Sequence, residues 1–284
     1  MIKPMLRLLL PFLLLLPALD SLAYNRAFEE KISRQLVESL GHDDEFWLRS
    51  GKTEFLGLYR DYETDQPQGA VILVHGMGGH PDWPEVIRPL RMSLPKIGWA
   101  TLSIQMPVLS PTDNIADYGM TMVESRRRIQ AAVRQLLDWR YLNIVIIGHS
   151  FGAATSAHAL AAKDLQPVKA FVGISMQAQP FLNPRLKLLK ELEALSIPVL
   201  DIYASRDRPE VLREVDDRRL AARKSGNQAY TQAELDGADH YFTGMDEVLL
   251  KRLQGWLIKA SPGSRVRLEE QGPDPTKQGS AGGE

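Results

Sequence analysis

The most constraining feature of the chain is a series of short runs that are apolar along their whole length rather than at alternate positions. Ala70–Val74, Thr101–Gln105, Asn143–Ile147, Lys169–Ile174 and Pro198–Tyr203 are of this kind, and Ala229–Glu234 is a weaker sixth. A strand with one wet face alternates apolar with polar residues. A run apolar throughout is covered on both sides, as in a parallel sheet flanked by helices. Helix-period segments lie between the runs. In Met122–Trp139 the positions Ile129, Val133, Leu136 and Leu137 share one face. Arg126, Arg127 and Arg128 in that segment are read as solvated surface, because three consecutive residues spread around a helix. Phe151–Ala162 is nearly all alanine and other small residues, which lets a helix approach a sheet closely. Pro209–Ala222 and Met245–Lys259 complete the helices, the last with Leu249, Leu253, Trp256 and Leu257 on one face. An N-terminal helix, Ala27–Leu40, and one or two edge strands around Trp47–Tyr59 precede the block. The alternation predicts a single doubly wound α/β domain over residues 24–260, its mostly parallel sheet covered by helices on both faces.

The two ends of the chain stand apart from this pattern. Lys3 and Arg7 precede an apolar run of 12 residues, Leu8–Leu19, and small residues follow at Ser21 and Ala23. These are the parts of a secretory signal peptide covering residues 1–23, with cleavage after Ala23. The run falls well short of the roughly 20 residues that span a bilayer, so no stable membrane span is expected after cleavage. A periplasmic or secreted location follows. Residues 261–284 are rich in Gly, Pro, Ser and charge, and are expected to form a disordered tail. A formal net charge of −1 and the lack of a basic stripe argue against nucleic acid as a partner. The chain contains no cysteine, which excludes disulfides, cysteine nucleophiles and thiolate metal sites. His and carboxylates do not cluster at metal-ligand spacing, so neither a metal nor a cofactor is expected.

The chemistry concentrates at Ile144–Ala154, which reads strand, Gly148-His149-Ser150-Phe151-Gly152, then the alanine-rich helix. G-x-S-x-G in this position is a nucleophile turn. The sharp strand-to-helix bend lifts the serine hydroxyl above the sheet edge, and glycine at the flanks permits the bend. A serine hydroxyl needs a base, and the base needs an orienting acid. In this architecture the base comes last in chain order. Of the six histidines only His158 and His240 follow the turn. His158 sits two turns along the same helix and cannot fold back, which leaves His240, expected in a loop after the sixth strand. Asp207 lies just past the Pro198–Tyr203 strand and is the candidate acid, its alternative role being a helix N-cap. The preceding strand ends in Ser175-Met-Gln-Ala-Gln and offers no competing carboxylate. Asp239 is too close to His240 in sequence to reach the correct ring nitrogen. Asp201, inside an apolar strand, is read as structural. An oxyanion hole requires backbone N–H groups from the residue after the nucleophile and from the loop after the first core strand. These are Phe151 and, in His75-Gly76-Met77-Gly78-Gly79, Met77, with Gly78 as the alternative. That loop does not match the G-x-G-x-x-G of a dinucleotide site.

His75-Gly76, Gly148-His149-Ser150-Phe151-Gly152, Asp207 and His240, in this order, resemble the α/β-hydrolase superfamily, and the resemblance covers about residues 50–259. Pro81-Asp82-Trp83 and Gly98–Pro107 are similar to an exported proteobacterial branch of that superfamily, whose function is largely undescribed. The resemblance implies an α/β-hydrolase fold and hydrolysis of an ester, thioester or amide through an acyl-enzyme, with a carboxylic ester or other small acyl compound as substrate. An amidase or peptidase on the same residues and a non-catalytic binding protein are the alternatives. Ser175 to about Pro184 is too short for a large lid, so a small or absent one is expected. Met106–Met122 is a candidate pocket wall, and Met120, Met122 and Met176 hint at an apolar lining.

Overall fold

The computed structural model describes residues 25–165 and 167–263. The expected signal peptide and nearly all of the expected tail lie outside these residues. The strands are β1 (Glu45–Ser50), β2 (Thr53–Arg60), β3 (Gly69–Val74), β4 (Trp99–Ile104), β5 (Ile144–His149), β6 (Val168–Ile174), β7 (Val199–Arg206) and β8 (Tyr230–Asp239). They form one sheet in the order β1-β2-β4-β3-β5-β6-β7-β8. The strands from β3 to β8 run parallel, while β2 is antiparallel to both β1 and β4. The helices are α1 (Arg26–Leu40), α2 (Ile87–Ser93), α3 (Met122–Asp138), α4 (Phe151–Ala161), α5 (Leu188–Glu193), α6 (Pro209–Arg213), α7 (Val215–Lys224) and α8 (Asp246–Ala260).

The continuous apolar runs are buried on both faces for the expected reason. In β3, Ala70, Ile72 and Val74 join a core with residues of α3, α4 and α5, whereas Val71 and Leu73 join a second core with residues of α2 and α8. In β5, Ile144 and Ile146 face the first core, and Val145 and Ile147 the second. Two helical layers therefore sandwich the sheet, and the carboxyl ends of β3, β5, β6 and β7 come together at one edge. The connection from β6 to β7, residues 175–198, contains only the short α5 and no lid domain.

Three local expectations need correction. The helix expected over Pro209–Ala222 is divided at Glu214 into α6 and α7, and the Glu214 carboxylate accepts the backbone N–H of Ala178 at 2.8 Å. β8 runs on to Asp239, beyond the expected Ala229–Glu234, and His240 lies in the turn between β8 and α8, where a loop was expected. Arg127 is exposed, as a solvated face requires, but Arg128 is fully buried. Its guanidinium donates to Glu29 of α1 at 2.8 Å and to the Gln105 carbonyl at 2.9 Å, tying α1 and α3 to the end of β4. Burial pushes the Glu29 carboxyl up to about 6 in spite of the opposing pull of Arg128.

Asp201 finds its partner on α7. The Arg218 guanidinium donates to its Oδ2 at 2.8 Å, and the Tyr230 hydroxyl and Gln232 amide donate to the same oxygen at 2.6 and 3.0 Å. Both charged side chains have no exposed surface. Removing one member of a buried pair strands the other in a low dielectric. Arg218→Met is expected to destabilise the fold by about 3 kcal/mol. Urea unfolding of the two proteins checks this, and an unchanged midpoint would show that the pair contributes nothing.

Candidate active site

Ser150 joins β5 to α4 with φ 54° and ψ −119°, a left-handed conformation that costs free energy in any residue other than glycine. Its neighbours explain how the turn is held. A Cβ on Gly152 would lie 2.2 Å from the Val74 carbonyl oxygen and 2.4 Å from that of His75. A Cβ on Gly148 would lie 2.6 Å from the Gly152 carbonyl oxygen. Only hydrogen fits at either position, so the start of α4 can press against the end of β3. The Ser150 N–H donates to the Ile174 carbonyl at 2.8 Å, which fixes the turn to β6 as well.

The structure brings together the three side chains expected from sequence. His240 Nε2 is 3.2 Å from Ser150 Oγ, and His240 Nδ1 is 2.6 Å from Asp207 Oδ1. All three residues are buried. Asp207 also accepts the Arg208 N–H at 2.8 Å, the Ala204 N–H at 3.2 Å and the Ser175 hydroxyl at 2.5 Å. Burial alone would raise this carboxyl, but hydrogen bonds from His240 and Ser175 outweigh it and hold the group below the usual carboxylate range. An ionised Asp207 requires a proton on His240 Nδ1, which leaves Nε2 free to accept one from Ser150.

Two supporting groups escaped the reading of the sequence. Ser175 ends the strand that carries no carboxylate, yet its hydroxyl braces the acid of the next strand. His149, the unspecified residue before the serine, has its Nε2 2.9 Å from the His240 carbonyl oxygen. It donates there, so its Nε2 carries the proton. Burial pushes the His149 imidazole down to about 4 and keeps it neutral. No spacing rule would have identified either contact, because both depend on neighbouring strands. His158 is engaged elsewhere, with Nδ1 2.6 Å from Glu191.

The loop after β3 lies beside the serine. A Cβ on Gly76 would be 3.5 Å from that of Ser150, and the Gly79 N–H closes a turn on the Gly76 carbonyl at 3.1 Å. His75 anchors the loop. Its Nδ1 donates to the Gly76 carbonyl at 2.8 Å, and its Nε2 accepts the Met106 N–H at 2.9 Å. Burial pushes this imidazole down to about 3. Phe151 is the first residue of α4, so its N–H has no intrahelical partner. Tyr118 packs its ring edge-on to Phe151 at 5.5 Å.

A cavity of about 430 Å³ opens over Ser150, His149 and His240. Met77, Trp83, Ile115, Pro180 and Phe181 make its apolar wall, while Gln177, Gln179, Arg208, Glu210, Arg213 and Tyr241 make a polar one. The segment before α3 does contribute to the wall, through Ile115. The methionine hint fails: Met120 is exposed, Met122 and Met176 are packed in the core, and none of them lines the cavity.

The buried imidazoles make stability depend on pH. His75 and His149 stay neutral in the folded protein down to about 3 and about 4, whereas in the unfolded chain they take up protons near the ordinary value of 6.5. Between these values the unfolded state binds more protons, so stability falls as pH drops. The loss is expected to be about 1.4 kcal/mol per pH unit for each imidazole. Urea midpoints measured from neutral to mildly acidic pH check it. The slope should be shallower in His149→Gln, and equal slopes would rule His149 out as a source.

The fold is shared with solved hydrolase structures. Est1E from Butyrivibrio proteoclasticus superposes with a TM-score of 0.61 at 14% identity, covering 77% of this chain and 99% of its own. The Pyrococcus furiosus esterase Pf2001 gives 0.62 at 18% identity, covering 76% and 92%. XC6422 from Xanthomonas campestris, described as an α/β serine hydrolase without lid, gives 0.59 at 18% identity, covering 78% and 96%. These likenesses establish an α/β-hydrolase fold without a large lid. No curated protein matches the chain in sequence. The model of one sequence family matches residues 23–118 and 115–259, nearly all of the chain between its two ends, and the chain therefore belongs to the family described as "Protein of unknown function (DUF3530)".

Proposed function

We propose that the protein is an exported serine hydrolase that cleaves an ester-type bond through Ser150, Asp207 and His240. The observation that carries this reading is the unbroken relay from Asp207 through both nitrogens of His240 to Ser150, at the floor of an open cavity. Ser150 Oγ attacks the substrate carbonyl carbon while its proton passes to His240 Nε2. Asp207 stabilises the imidazolium that forms and remains ionised. The carbonyl oxygen becomes an oxyanion, held by the N–H groups of Met77 and Phe151, with the N-terminal dipole of α4 adding to the attraction. Collapse of this intermediate breaks the bond to the leaving oxygen, which takes the proton from His240. A water activated by the same imidazole then releases the acid and restores Ser150.

For export we propose that residues 1–23 are removed as a signal peptide, which N-terminal sequencing of the mature protein beginning at Tyr24 would support. Among the described residues no helix is long and apolar enough to cross a membrane.

Purified protein treated with a fluorophosphonate is expected to gain one adduct by intact mass, and Ser150→Ala none. Hydrolysis of short-chain aryl esters should fall by roughly 10⁴-fold in Ser150→Ala and by roughly 10³- to 10⁴-fold in Asp207→Asn. Adduct formation on Ser150→Ala, or equal turnover by Asp207→Asn, would sink the assignment. Faster cleavage of amides than of matched esters would make the protein an amidase instead.

A further inference from the structure

We propose, resting on the hydrolase reading above, that the alcohol part of the substrate carries an anionic group, a carboxylate or a phosphate, and that Arg208 binds it on the His240 side of the cavity. Arg208 lines the cavity and is exposed to it. Its guanidinium donates to the Tyr241 hydroxyl at 2.8 Å and lies 5.6 Å from the centre of that ring. The Tyr241 ring in turn stands edge-on to His240, at 5.1 Å between centres. The cation is thus held by an aromatic platform next to the base.

Three acids close to Arg208 in sequence are engaged elsewhere. Asp207 accepts hydrogen bonds from His240 and Ser175, Glu210 pairs with Arg213 at 3.4 Å, and Glu214 accepts the Ala178 N–H. Among the described residues no carboxylate lies within ion-pair distance of the Arg208 guanidinium, which is oriented by its hydrogen bond to Tyr241. An oriented cation without a counter-charge at the mouth of a cavity is suited to an anion from outside, and a planar guanidinium matches a carboxylate or phosphate in two-point contact.

The chemistry says which half of the substrate meets it. His240 returns its proton to the leaving oxygen, so the alcohol departs within reach of Nε2, past Tyr241 and Arg208. The acyl half has the other wall. Met77 belongs to the loop that lies beside Ser150, while Ile115 and Phe181 come from two segments joined by the Asn183 N–H to Ala116 carbonyl bond at 2.9 Å.

The test uses esters with one acyl chain and three alcohols: neutral, carboxylate-bearing and phosphate-bearing. The wild type should favour at least one anionic alcohol in kcat/KM, chiefly through KM, and the preference should shrink as salt is added. Arg208→Gln should reduce the anionic-to-neutral ratio by about 5-fold, and Arg208→Glu by more. Lys251→Gln, which removes a positive charge remote from this cavity, should leave the ratio unchanged. A ratio unaltered in Arg208→Gln, or a preference that follows a negative charge placed on the acyl chain, overturns the proposal while leaving the hydrolase reading intact. Failure of the fluorophosphonate to label Ser150 overturns the hydrolase reading itself and the proposal with it.

Discussion

At residue 152 there is no room for a side chain, and the geometry of the site rests on that contact. With a hydrogen there, the first turn of α4 lies against the carbonyls that end β3, and Ser150 is held in a left-handed turn between them. The same approach brings the His75-Gly76 loop beside the serine, so one close contact sets both the hydroxyl and the loop expected to donate to an oxyanion. The small residues of α4 serve the same end. Thr155 and Ser156 return their hydroxyls to the Gly152 carbonyl at 3.1 and 2.7 Å, adding to the hydrogen bonding of a peptide group buried against the sheet.

Around this turn the charges are buried in compensated sets. Asp207 receives donors from four directions, Asp201 from three, and Arg128 reaches Glu29 and a backbone carbonyl at once. Each set joins elements distant in sequence. A buried charge is costly unless matched, and matching it fixes the geometry of every group that takes part. Arg208 differs in remaining open to the cavity with a tyrosine as its platform, a contrast that separates groups that hold the fold from a group available to a ligand.

The central strands were legible because burial on both faces leaves a run of apolar residues that requires no partner to be recognised. The turn at Gly148–Gly152 was legible because glycine at two positions and serine between them answer a local steric demand. The rest depended on neighbours that a linear pattern does not reveal. Helices α2 and α5 are too short to build a period. Arg128 looked solvated among three arginines, since only the folded chain brings Glu29 of α1 to it. The methionines near the expected pocket wall were apolar residues in the right segment with no means of telling core from cavity. Ser175 and His149 act across strands, and β8 was the weakest strand because little of it is buried.

That weakness in β8 has a structural answer. As the edge of the sheet it carries little apolar alternation to define its pairing with β7, the circumstance in which a strand can slip along its partner. Side-chain contacts at both ends replace the missing pattern. At one end the Tyr230 hydroxyl reaches in to Asp201, and at the other the His240 carbonyl is held by His149 from the middle of the sheet. A shift of a single residue would break both contacts and turn the imidazole to the opposite face. The register of the last strand is thus written by polar chemistry at its two ends, and the place of His240 is secured by the strand that precedes it.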